Sequence, residues 1–212
     1  MAIGKVKPVK VDKESPAEKA RRLNKERAER SKIQSLTIKQ LLDSLYKFRK
    51  KKNIRSTGVA EILEVRPSKT KVPYLIIHAQ VRGTKLWQQR LHFPSVRISE
   101  VPAPGFEIPI KDKKGYTFYC PRLTENTTVL LRCSCPDFRF TFMYPDYDKK
   151  SLQGRRIPYQ RKTTTRPPRN PDDIPGVCKH LIAVFNKLTN LGFIDKLSNS
   201  VQVSTPGYLW RK

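Results

Sequence analysis

Cys133-Ser134-Cys135 and Cys178-Lys179-His180 are two places in this chain where metal-ligating side chains stand in tight pairs. Together they offer three thiols and one imidazole, a complete tetrahedral set for Zn2+. Each pair has a spacing that a suitable local structure can aim at one ion. Cys133 and Cys135 end a predicted strand, where residues two apart point to the same side, and Pro136 stops that strand. Cys178 and His180 open a predicted helix. Two residues apart on a regular helix diverge by about 200°, so convergence requires Cys178 at or before the N-cap and His180 in the first turn. Pro175-Gly176 supplies a break in the right place, and a helix N-terminus favours a thiolate. Four protein ligands leave no position for water, so the set predicts one structural ion per chain rather than a catalytic one. Cys120 is left over, either as a packed strand residue or as a replacement for one of the four.

The elements that must carry these groups follow from pattern. Residues 1–14 are basic without an apolar period and predict an arm. Ser15-Pro16-Ala17-Glu18 is a capping-box pattern with Pro at the first helical position. The helix it opens, to about residue 31, has Leu23 as its single large apolar side chain. A helix polar all round does not hold itself together, so this one is expected to lie on a partner. Thr37 and Gln40 suggest a second capping box, after which Ile38, Leu41, Leu42, Leu45 and Phe48 fall at helical spacing. That stripe predicts core packing, with a dimer or partner groove as the alternative. Arg49, Lys50, Lys51 and Lys52 close the helix; cations suit a helix C-terminus, and these four are also candidate phosphate ligands.

From residue 56 the pattern turns to β. Strands are predicted over 59–65, 74–81 and 85–93, the last two joined by a hairpin at Arg82-Gly83-Thr84. A short strand is expected over 96–99, and 116–120 and 127–133 are expected to pair with each other. Phe138, Phe140 and Phe142 alternate, which predicts one face of a further short strand. Residues 146–173 have almost no aliphatic content and read as a long loop or arm. A last helix is predicted from Cys178 to about Leu188, with Leu181, Val184, Phe185 and Leu188 on its buried side. Trp87 and Trp210 are assigned to packing by default.

Charge sets the partner class. Lys and Arg number 44 against 18 Asp and Glu, a formal net charge of +26. Solubility alone asks for roughly 2–8, so an excess this large points to a polyanion: nucleic acid or an acidic surface. No apolar run approaches the roughly 20 residues of a membrane span, and the N-terminal MAIGKVKPVK lacks the apolar stretch of a signal peptide. No membrane partner is expected, and in a reducing compartment the cysteines are metal ligands or free thiols. The Pro-rich stretch between the two ligand pairs carries Arg155, Arg156, Arg161, Lys162, Arg166 and Arg169, with Tyr147 and Tyr159 among them. Guanidinium groups bind phosphate and stack, and tyrosines offer a base-stacking face; the same residues also favour protein interfaces, and both readings stand. There is no P-loop, no paired-carboxylate pattern and no G-x-S-x-G. His78 and His92 lie in predicted strands without a nucleophile motif, so no enzyme is expected.

At its four ligands the chain resembles the SWIM-type zinc finger. In that family a C-x-C pair lies on a β-hairpin and a C-x-H pair opens a helix, and Cys133, Cys135, Cys178 and His180 match those positions in order. Cys-Pro-Asp-Phe at 135–138 and Leu-Ile-Ala at 181–183 add to the likeness, which covers roughly residues 116–190. The 42 residues 136–177 exceed the family's usual spacing and read as an insertion. The resemblance implies binding to DNA or protein. The combination of CSCPDFRFTF, the Tyr/Arg/Pro-rich insertion, RPPRNP and CKH also resembles proteins of large tailed bacteriophages, which implies a place in the virion or the host cytoplasm.

The expected fold is therefore α+β: a basic helical arm (1–55), a β-rich middle (56–115), a zinc-bound ββα unit (116–192) with its basic insertion (136–177), and a tail (193–212). The expected function is that of a non-enzymatic structural protein in a large nucleoprotein assembly, contacting neighbouring subunits, nucleic acid or both. A soluble DNA- or RNA-binding regulator is the alternative.

Overall fold

A computed structural model of the chain describes residues 15, 18, 21, 34–49, 58–68, 73–83, 85–111, 115–158, 165 and 167–197. The chain divides into two compact units, Met1–Ile33 and Gln34–Lys212. In the first, the expected capping box is present. The Ser15 N–H donates to the Glu18 carboxylate at 2.9 Å, and the Glu18 N–H donates to the Ser15 hydroxyl at 3.3 Å. Glu18 and Arg21 are helical.

The second unit begins with helix α1, Ile38–Phe48, under the predicted Thr37/Gln40 capping box. Ile38, Leu41, Leu42 and Leu45 are buried in the common core. The apolar stripe is thus core, and residues 38–48, grouped on sequence with the basic arm, pack with the second unit. Strands β1 (Val59–Ser68), β2 (Tyr74–Arg82) and β3 (Leu86–Pro94) follow as antiparallel neighbours. Strands β4 (Ile108–Lys111) and β5 (Thr117–Cys120) form a separate two-stranded sheet. Strand β6 (Leu130–Cys133) then returns to the first sheet beside β3, giving the order β1-β2-β3-β6. Leu75, Ile77, Ala79 and Val81 of β2 and Leu91 and Phe93 of β3 face the core. Helix α3 (Lys179–Asn190) packs on that face against β1, β2 and β3. Helices and antiparallel strands together make the α+β class plain.

Three local expectations are corrected. The segments 116–120 and 127–133 do not pair with each other. Pro121, which has no N–H to give, ends β5. Leu123 instead bridges to Ile194, while Thr127 and Glu125 carbonyls accept from Ile38 and Lys39 at the start of α1. The ββ part of the expected ββα unit is therefore β3 with β6, strands far apart in sequence. Residues 96–99 form no strand; Ser99 alone makes a bridge, to Tyr119. And 138–142 is helical: residues Phe138–Phe142 form a π-helical turn that runs into helix α2, Met143–Asp148. Phe138 and Phe142 are buried while Phe140 is 39% exposed. Three aromatics at period two also contain one i, i+4 pair, and here that pair decides the winding. The first part of the insertion is consequently helix where a short strand was expected, and the expected loop begins only after Asp148.

Candidate metal centre

Strand β6 ends at Cys133, whose register partner on β3 is Gln89. Cys135 follows just beyond, where Ser134 still bonds both ways with Gln88 of β3. Cys178 is the N-cap of α3, with extended backbone (φ −81°, ψ 165°), and His180 lies in the first turn. This is the break that a C-x-H pair needs in order to converge. The four ligand atoms lie within 4.8 Å of one another, and all four residues are buried. Cys120 stands apart, fully buried in β5, with its thiol pushed up to about 12 by burial. A cluster of three thiols and an imidazole, closed to solvent, can hold one metal ion.

The protons on these thiols show why a cation fits. Burial and hydrogen bonds to the other two thiols hold Cys178 well above the ordinary thiol value. Donation to Cys135, with burial added, pushes Cys133 up to about 12. Cys135 is held far below its ordinary value by hydrogen bonds from Cys133 and Cys178. Without a cation, then, one thiolate forms at the expense of the others, because three like charges at this separation repel. A divalent ion removes that conflict and deprotonates all three. Further donors already point at sulfur: the Phe138 N–H to Cys135 at 3.3 Å and the Gln89 side-chain amide to Cys133 at 3.4 Å. His180 Nδ1 is buried with no hydrogen-bond partner among the described residues, as a nitrogen reserved for a metal would be. Trp87 lays its ring beside the His180 ring at 5.8 Å between centroids.

Two residues invisible to motif reading hold the strap that leads into Cys178. The Asn170 side-chain amide donates to the carbonyls of Thr141 and Ile174, and its oxygen accepts from the Ile174 N–H. Asp146, fully buried, accepts the Gly176 N–H at 2.9 Å. Burial drives its carboxyl well above the ordinary value of 3.8, and its second oxygen has no partner among the described residues. An acid whose pKa is raised by folding binds its proton more tightly in the folded state. Its contribution is therefore fully present below pH 3.8 and is lost as pH climbs toward the folded value. Asp146→Asn keeps an acceptor for Gly176 and removes the charge. The variant is expected to gain stability relative to the parent as pH rises from acid to neutral, read by urea unfolding; parallel curves for the two proteins would refute this role.

The predicted binding residues fall in different places. Arg49 pairs with Asp137 at 3.3 Å and lies over the Phe48 ring, tying the end of α1 to the segment after Cys135. Arg156 covers the rings of Tyr144 and Tyr147 at 5.3 and 5.0 Å. Arg155 and Arg169 are exposed. Lys50, Lys51, Lys52, Tyr159, Arg161, Lys162 and Arg166 lie outside the described residues, as does Trp210. His78 sits 3.3 Å from Glu64, and His92 packs edge-on against Tyr74. Gln89, Trp87 and Asp146 escaped the sequence reading because only non-local pairing brings them to the site.

Among the described residues no helix is long and apolar enough to cross a membrane. Comparison with protein-family models, with curated proteins and with solved structures finds no match to this chain. What the fold and the site define is an α+β protein with a buried cysteine–histidine cluster fit for one metal ion.

Proposed function

We propose that this chain is a non-enzymatic, zinc-stabilised structural protein of a large nucleoprotein assembly, a tailed-phage virion component in contact with nucleic acid and neighbouring subunits. The observation that carries the reading is a closed Cys3His cluster in a chain of net charge +26. Zinc suits the ligand set, since thiolate-rich tetrahedral sites are its usual structural form. Four buried protein ligands leave no place for a substrate or an activated water, which supports a scaffold over a catalyst. The ion ties the end of β6 to the start of α3 and closes the 42 residues between them. The SWIM-type arrangement of ligands agrees with this role, although here the strand beside the C-x-C pair is β3.

The test has two parts. The protein is expected to remain with purified particles through nuclease and salt washes, carrying one zinc per chain. Free protein is expected to bind oligonucleotides with an affinity that falls steeply with salt, because released counterions drive the contact. Recovery only as free protein with that salt response would favour the soluble regulator. A flat salt response would remove nucleic acid as the partner.

A further inference from the structure

We infer that the outward face of the four-stranded sheet, at Arg90 and Arg132, is a phosphate-binding surface for a nucleic-acid strand. The inference rests on the nucleic-acid reading above and locates its contact on a surface different from the basic insertion and arm.

Cross-strand register places Glu64, His78, Arg90 and Arg132 in one row, from β1 through β2 and β3 to β6. The row lies on the face opposite the core, since its neighbours Ile77, Leu91 and Leu131 are fully buried. Its charge is unevenly compensated. Glu64 already holds Arg66 at 3.0 Å and His78 at 3.3 Å. At the other end two guanidinium groups stand directly opposite each other. Like charges so placed destabilise a sheet pair, and the residues next to them on this face, Gln88, His92, Leu130 and Ser134, carry no carboxylate. Arg90 is exposed.

Arg132 is not free to swing away. Its Nε donates to the Gln153 carbonyl at 2.6 Å, and its terminal nitrogen donates to the Arg155 carbonyl. Those bonds fix the guanidinium plane and leave its remaining N–H groups for a ligand. They also bring the exposed Arg155 to the rim of the same patch. The two guanidinium groups are register partners on β3 and β6, so an anion seated between them relieves a like-charge repulsion that the fold maintains. A phosphodiester group is the anion that forked guanidinium donors fit best, and a strand supplies several in a row. Gln88 and Ser134, exposed beside the pair, add neutral polar groups.

The test uses the full chain and a short fluorescein-labelled oligonucleotide, single-stranded and duplex, titrated across a series of salt concentrations. Arg90→Gln is expected to bind more weakly and to flatten the slope of log affinity against log salt by about 0.7–0.9, the value of one lost phosphate contact. Arg90→Lys is expected to recover most of the slope as a point charge. Lys187→Gln removes one exposed charge from α3, on the other side of the sheet, and is expected to leave the slope unchanged. Equal effects of Arg90→Gln and Lys187→Gln would show a net-charge effect only and overturn the surface. So would displacement of the oligonucleotide by polyglutamate at matched charge, which would mark an acidic-protein site. A steep slope unaltered by Arg90→Gln overturns the surface and leaves the nucleic-acid reading standing. No binding by the parent chain overturns both.

Discussion

Replacing Cys178 with serine is expected to strip the metal from the protein and unfold the unit around it. Cys178 is fully buried, caps α3, and shares hydrogen bonds with both other thiols. Serine offers a weaker, harder ligand in the same place, and three remaining groups cannot complete a closed tetrahedral site. Structural zinc contributes about 10–16 kcal/mol to small zinc-dependent folds. That is as large as the usual whole margin of about 5–15 kcal/mol for a domain. On the proposed zinc assignment, elemental analysis should fall from one zinc per chain toward none, and chelator treatment of the parent should reproduce the loss. Trp87, packed beside His180, makes its fluorescence a local readout. The control is Cys120→Ser, buried in β5 away from the cluster, which should keep the parent's metal content. Full zinc retention in Cys178→Ser would show that the ligand set is wrong.

The second large effect is expected from Phe142→Ala. Phe142 is fully buried where three segments meet. Its ring stands edge-on to Phe48 of α1 at 5.5 Å, and it lies so close to Gly176 that a Cβ there would come within 3.0 Å of it. Truncation removes the shared surface of α1, the π-helical turn and the strap that enters Cys178. A loss of about 3–5 kcal/mol is the usual cost of such a cavity. Urea unfolding of the metal-loaded protein measures it. Phe140→Ala, from the exposed position of the same turn, should stay within about 0.5 kcal/mol. Similar losses for both would mean that the alternating aromatics share one buried face, as a strand would have it.

The contrast between those two phenylalanines shows what pattern can and cannot carry. Capping boxes at Ser15 and Thr37 were legible because every atom in them lies within four residues. The stripe of α1 and the hairpin of β2 and β3 were legible for the same reason: period and turn chemistry are local. The winding of 138–142 was not, because period two and an i, i+4 pair are both present in Phe-x-Phe-x-Phe. The choice fell to burial against Phe48 and the strap near Gly176.

The four ligands mark the same boundary. By residue type and spacing alone, the sequence determined that Cys133, Cys135, Cys178 and His180 belong together, since metal chemistry restricts which side chains can share an ion and helix geometry restricts how Cys178 and His180 can meet. It also determined the surplus of positive charge. Only the tertiary structure decided that β6 pairs with β3 rather than β5, because strand pairing is settled by which apolar faces can be buried together across the whole chain. That pairing set Gln89 against Cys133 and Arg90 against Arg132, two contacts that no window of sequence contains.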